Sequence, residues 1–150
     1  MSYDDALEHH FQRMLMADFD LTWVGVQPDS DGDICFLDEH DRLVTGVIVD
    51  LGTPWARLYL TAAIGLKRNA KLLREVNELN LALQGCRALL TPDGRLVLAC
   101  ETLLSALEPG VLREHLEVMS ENAERSGSMI RMMFGGIDAA ITDTESEVEQ

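Results

Sequence analysis

Leu72-Leu73-Arg74-Glu75-Val76-Asn77-Glu78-Leu79-Asn80 is followed by Arg87-Ala88-Leu89-Leu90, the turn Thr91-Pro92-Asp93-Gly94, and the apolar run Leu96-Val97-Leu98-Ala99-Cys100. Leu72, Val76, Leu79 and Leu83 recur at helical spacing and form one apolar stripe. Lys71 with Glu75, and Arg74 with Glu78, are opposite charges one turn apart on the wet face. The helix opens near Asn69, and Gly85 is placed to stop it. The pattern then changes. Pro-Asp-Gly between two apolar runs is a tight turn, because proline presets one backbone angle and glycine accepts a positive φ without steric cost. The segment therefore reads as a helix followed by a β-hairpin. Asn80 falls on the apolar stripe, where a buried amide must find hydrogen-bond partners. Its expected role is to fix the helix against the sheet.

The same reading extends outward. Toward the N-terminus, Leu7, Phe11, Met14 and Leu15 give a helix from about Tyr3 to Asp18, with Ser2 as cap and Asp5 completing a capping-box variant. Short strands follow at 21–26, 34–37, 43–51 and 55–64. Turn clusters at 28–32, 39–41 and 52–54 separate them. Connections this short demand antiparallel pairing. Toward the C-terminus, the second hairpin strand spans 95–100 and continues as far as Leu104. A last helix begins at Pro109, a favoured first-turn residue. Leu112, Leu116, Met119 and Ala123 form its stripe, extended by Ile130 and Met133. Gly127 weakens it locally, and Gly135-Gly136 ends it. The pattern predicts an α+β fold, an antiparallel sheet of five to six strands with three helices in the order α-β-β-β(-β)-α-β-β-α. It divides the chain into one domain over residues 1–137 and an acidic tail over 138–150, expected to be mobile.

Composition narrows the function. With 150 residues the chain is of single-domain size and can bury a real core. Its net charge of −14 opposes nucleic acid and anionic membrane as primary partners, since both demand clustered cations. The charge is uneven: residues 1–41 carry −10, 42–95 carry +4, 96–137 carry −3 and 138–150 carry −5. Such asymmetry suits self-association or a charged partner, although ordinary solvated surface accounts for it as well. No signal-peptide pattern opens the chain and no apolar run approaches the length of a membrane span. Cys35, Cys86 and Cys100 are odd in number, widely spaced and set in apolar runs, where free cysteine packs as a small hydrophobe. A cytoplasmic location is expected.

Reactive signatures are missing. Asp29-Ser30-Asp31-Gly32-Asp33 begins like a calcium loop, but the loop positions that need Gly and Glu hold Ile34 and His40. His9 and His10 diverge on a helix, and His40 and His115 have no partner at ligand spacing. There is no nucleophile elbow, P-loop or dinucleotide turn. No catalytic residue, metal site or cofactor is expected. Two surface features remain. Lys67, Arg68, Lys71 and Arg74 form a basic cluster, either a docking patch for an acidic segment or a solvated helix face partly paired with Glu75 and Glu78. Met129, Met132, Met133 and Phe134 crowd the end of the last helix, where methionine suits either a pliable binding surface or a core or dimer contact.

The N-x-x-N helix with Asn77 and Asn80, the Pro92-Asp93-Gly94 hairpin and the terminal helix together resemble the YbjN-like proteins. Through them the chain is similar to the type III secretion chaperones of the CesT and YopN type, over almost its whole length. The resemblance implies a homodimer that holds a partner polypeptide in extended form, with no enzymatic activity and no cofactor. The strand at 55–64 is a departure expected to alter the sheet edge. An extended peptide can add to an open edge or lie in grooves between helix and strand. Leu7, Phe11 and Met14 of the first helix, with Trp23, Val24 and Val26, are the expected peptide-binding residues. A regulatory module acting on a folded partner is the alternative, and a small-molecule or enzymatic domain a third reading.

Overall fold

A computed structural model describes residues 3–19 and 32–138. The strand expected at 21–26, with Trp23, Val24 and Val26, lies outside the described residues, as does the tail from residue 139 onward. In chain order the elements are α1 (Tyr3–Asp18), β1 (Ile34–Leu37), β2 (Leu43–Asp50), β3 (Pro54–Ile64), α2 (Ala70–Ala82), β4 (Arg87–Leu90), β5 (Leu96–Leu103), a 3-10 turn (Leu104–Ala106), α3 (Val111–Phe134) and β6 (Ile137–Asp138). The strands form one antiparallel sheet in the order β1-β2-β3-β5-β4, with β6 added beside the end of β3.

The strand expected to disturb the sheet edge is instead its centre. β3 bonds β2 on one side and β5 on the other, with Leu58 opposite Gly46 and Cys100. Its alternation explains the placement. Ala56, Leu58, Leu60 and Ala62 are fully buried, while Trp55, Arg57 and Tyr59 point to the opposite face. A strand with apolar side chains to bury along its whole length gains most in the middle of a sheet.

All three helices lie on the face that β3 buries. Phe11 and Leu15 of α1, Leu72, Val76 and Leu79 of α2, and Leu112, Met119, Ala123 and Ile130 of α3 join one core with Val44, Leu58, Leu60, Leu96 and Leu98. Close approach decides two contacts. At Gly46 a Cβ would lie 2.4 Å from the Leu15 side chain, so α1 sits directly on the β2 backbone. At Gly127, buried beside Ser126 and Ala123, α3 passes against the Ala62 carbonyl of β3. The glycine that weakens the helix by its own propensity thus serves its packing.

Two helix ends follow local chemistry and a third does not, while the expected Ser2 cap of α1 lies outside the described residues. Asn69 caps α2 by accepting from the Leu72 amide at 2.8 Å. Gly135, at φ 78°, closes α3, and its amide bonds the Arg131 carbonyl. The exception is the start of α3. Pro109 lies in a turn before the helix, because Gly110 adopts φ 91° and its own residue offers no side-chain cap. The cap comes from α1. The Asp18 carboxylate accepts from the amides of Gly110, Leu112 and Arg113 at 2.8, 3.1 and 3.4 Å. Arg113 answers by donating to the Asp18 carbonyl at 2.8 Å. A buried carboxylate at a helix N-terminus is favoured by both the free amides and the dipole.

The turn joining β1 to β2 is held in a similar way. Asp38 accepts from the amides of His40 and Arg42, both at 2.8 Å, and from Ser120 of α3 at 3.3 Å. Arg42, almost fully buried, reaches Glu124 of α3 at 2.7 Å.

Asn80 does fix α2 to the sheet. Its amide donates to the Ala88 carbonyl at 2.9 Å and its oxygen accepts from the Ala88 amide at 2.6 Å. β4 is the outer strand of the sheet, so the side chain occupies a stretch of free edge as another strand would. Asn80→Ala is expected to lower stability by about 1–2 kcal/mol, the worth of two part-buried hydrogen bonds. Urea unfolding checks this, and an unchanged midpoint would remove Asn80 from the docking of α2.

Candidate peptide-binding surfaces

The far face of the sheet carries Leu43, Thr45, Val47 and Val49 from β2, Trp55, Arg57, Tyr59 and Thr61 from β3, and Val97, Ala99 and Glu101 from β5. The register aligns them in rows: Thr45, Tyr59 and Ala99 share one, and Val47, Arg57 and Glu101 the next. Among the described residues no helix covers this face. Most of its side chains are half-buried. A shallow depression of about 400 Å³ lies over Leu43, Val47, Tyr59, Leu89 and Val97.

The charges on this apolar face are tied together. Arg57 donates to Glu101 at 2.9 and 2.7 Å and to the Tyr59 hydroxyl at 2.8 Å, and Arg87 approaches Glu101 at 3.5 Å. The Tyr59 and Glu101 bonds hold the Arg57 guanidinium above its ordinary value. A row of paired charge in an apolar field fixes which surface fits against it.

Two clefts flank α1. The first, about 300 Å³, opens between the end of α1, β1 and the start of α3. Phe19, Phe36, Leu37 and Leu116 make its apolar wall, and the Phe19 and Phe36 rings stand 4.9 Å apart. Asp38, Glu39, Glu117 and Arg113 supply its polar lining. The second, about 290 Å³, lies between α1 and the facing ends of β2 and β3, with Leu7, Ile48 and Pro54 beside Glu8, Asp33 and Asp50. Both combine an apolar wall with carboxylates.

The structure separates the expected site residues. Leu7 borders the second cleft. Met14 is partly buried against the core. Phe11 is only 1% exposed and packs inside the core, so its ring is not offered to a partner in this conformation. The placement of Trp23, Val24 and Val26 lies outside the described residues. The residues of the first cleft were not foreseen, since it is assembled from three elements far apart in sequence. Phe19 and Phe36 end or interrupt apolar runs, which marks them as apolar but not as neighbours.

The two remaining surface features resolve differently. Lys67, Arg68, Lys71 and Arg74 all stand exposed, and among the described residues no ion pair joins Lys71 to Glu75 or Arg74 to Glu78. Met132 is 85% exposed at the end of α3, and Met129 and Met133 are exposed beside it, while Phe134 packs partly against the core. Among the described residues no cluster of three His, Cys, Asp or Glu side chains is placed to hold a metal, and no helix is long and apolar enough to cross a membrane.

Three helices on one face of an antiparallel sheet, with clefts either side of the first helix, define an α+β protein built to present surface. The chain belongs to the family of type III secretion (YopN, CesT) and YbjN peptide-binding chaperones, whose first family model matches residues 5–141. Three solved structures share the fold. A chain of the ExsC–ExsE complex is 14% identical with a TM-score of 0.64, covering 87% of this chain and 97% of that one. The Yersinia pestis type III secretion chaperone SycH, in complex with a stable fragment of YscM2, is 16% identical with a TM-score of 0.55, covering 80% and 96%. The HopA1–SchA chaperone–effector complex gives 14% identity and a TM-score of 0.58, covering 83% and 97%. No curated protein matches the sequence.

Proposed function

We propose that this chain is a non-enzymatic, cytoplasmic chaperone or adaptor that works as a homodimer and holds a partner polypeptide in extended form. The observation that carries the reading is the division of its surface. A broad apolar sheet face that no described helix covers is suited to meet a second copy, while the clefts beside α1 offer apolar walls with acidic neighbours. The family match supports peptide binding, and the neighbouring structures include a chaperone–effector complex and a chaperone with a bound fragment.

Charge and shape together select the partner. A net charge of −14 favours a cationic segment and repels an acidic one. Glu8 and Asp50 at one cleft, with Glu39 and Glu117 at the other, suit a chain that alternates large apolar and basic side chains. Alternation places the apolar residues of an extended peptide on one side, so Leu7, Phe19, Phe36 and Leu116 are the proposed contacts.

Light scattering and a peptide titration test the two halves. The chain is expected to run as a dimer, and Val47→Lys, placed beside Arg57 on the open face, to run as a folded monomer by circular dichroism. A labelled peptide of alternating leucine and arginine is expected to bind and to lose about tenfold in affinity on raising salt from low to several hundred millimolar, as screening of exposed charge requires. A leucine–glutamate peptide is expected to fail. A monomeric wild type that takes up neither peptide would overturn the proposal. Capture of a folded partner alone would replace it with the regulatory reading.

A further inference from the structure

Cys86 and Cys100 are widely separated in sequence, and the fold brings them together. β4 and β5 are antiparallel with Arg87 opposite Ala99. Carried one residue beyond β4, the same register sets Cys86 opposite Cys100. Rungs of an antiparallel ladder alternate between hydrogen-bonded pairs and closer pairs whose amides and carbonyls point away. Ala88 gives both its backbone groups to Asn80, so the Ala88–Leu98 rung is of the second kind. The Cys86–Cys100 rung, two residues on, is therefore of the second kind too. Pairs of that kind hold their Cα atoms about 4.5 Å apart, within the span that a disulfide bridges. The Cys100 side chain points toward the segment before β4. Cys100 Sγ stands 3.0 Å from the carbonyl of Gly85, the residue adjoining Cys86.

The surroundings divide the two thiols into roles. Cys100 is buried under α3, and Cys86 is only partly covered. The Asn122 amide of α3 donates toward Cys86 Sγ at 3.6 Å while also donating to the Val118 carbonyl at 2.9 Å. The neighbouring Cys100 thiol, and then the Asn122 amide, hold the Cys86 thiol below its ordinary value against the opposing effect of burial. The neighbouring Cys86, and then burial, push the Cys100 thiol up. A partly accessible thiol held low beside a sheltered one pushed up is the arrangement of an attacking and a resolving cysteine. Cys35 has neither feature: it is exposed on the open sheet face beside Thr45, with no thiol neighbour among the described residues.

We propose that Cys86 and Cys100 are a peroxide-sensitive dithiol that closes to a cross-strand disulfide. The Cys86 thiolate attacks one peroxide oxygen, the O–O bond breaks, and hydroxide leaves to take up a proton as water. This makes Cys86 a sulfenic acid. The Cys100 thiol then attacks the Cys86 sulfur, the S–O bond breaks, and a second water leaves with the Cys100 proton. The two sulfurs together lose two electrons and the peroxide gains them. The bond staples the start of β4, and with it the end of α2, to β5. It draws on no feature of the proposed peptide surfaces.

The test uses the full folded chain with hydrogen peroxide, followed by alkylation, digestion and mass spectrometry. The expected product is one linked pair of peptides containing Cys86 and Cys100, lighter by two hydrogens, with Cys35 still alkylated. Dithiothreitol is expected to restore both thiols. Cys100→Ser is expected to leave Cys86 as a sulfenic acid that dimedone captures, and Cys86→Ser to leave Cys100 unreacted at the same dose. Three free thiols after treatment, preferential oxidation of Cys35, or over-oxidation of Cys86 without a link in the wild type would each overturn the proposal.

Discussion

Gly94→Ala is expected to destabilise the protein by about 3 kcal/mol, combining the cost of a left-handed backbone with that of overpacking a filled site. Gly94 sits at φ 81° in the β4–β5 turn, and it is buried. A Cβ there would lie 2.2 Å from the Leu66 carbonyl oxygen, a backbone atom that cannot swing aside. The same residues are hydrogen-bonded, with the Leu66 amide donating to the Gly94 carbonyl at 3.0 Å. The added methyl group must therefore push the hairpin away from the segment linking β3 to α2. Gly135 supplies the control. It has nearly the same φ, 78°, with nothing within 4 Å of its Cβ position. Gly135→Ala is expected to lose only about 1 kcal/mol, the backbone part alone. Urea unfolding of both variants gives the comparison. Equal losses would show that the contact with Leu66 contributes nothing.

Asp18→Ala is expected to cost about 3 kcal/mol, because it removes an N-terminal cap and leaves part-buried amide donors without an acceptor. Asp18 is only 6% exposed, so water is poorly placed to take over from the carboxylate. The loss falls on a connection as well as on a helix end. Asp18 closes α1 and caps α3 some ninety residues later, so its removal loosens the wall shared by the first cleft. Asp18→Asn keeps one acceptor oxygen and is expected to lose about half as much. Hydrogen exchange at the Leu112 and Arg113 amides, alongside urea unfolding, locates the effect. Protection that survives in Asp18→Ala would show that the helix start is held by packing alone.

Much of the candidate surface was visible in composition but not in position. The acidic N-terminal region and the open-face side chains of β2 and β3 are legible as charge and as alternation. That, among the described residues, they line clefts and a sheet face with no helix over it is not. A cleft wall made from Phe19, Phe36 and Leu116 depends on where three separate elements cross. Phe11 shows the converse. Its helical spacing marks it as apolar, and only the close approach of α1 to β2 at Gly46 decides that its ring is enclosed.

The sequence by itself determined the three described helices, the strands β1 to β5 and their order. Side-chain periodicity, Asn69 at one helix start and Pro92-Asp93-Gly94 at one turn are local signals, and local backbone preference answers them without help from distant residues. Tertiary structure alone decided that the 55–64 strand is central, that Asp18 caps a helix distant in the chain, that two more residues join the sheet as β6, and that Cys86 meets Cys100. Each of these depends on contacts between residues far apart in sequence. Such contacts are selected by how all the apolar faces bury together, a property of the assembled core that no single segment carries.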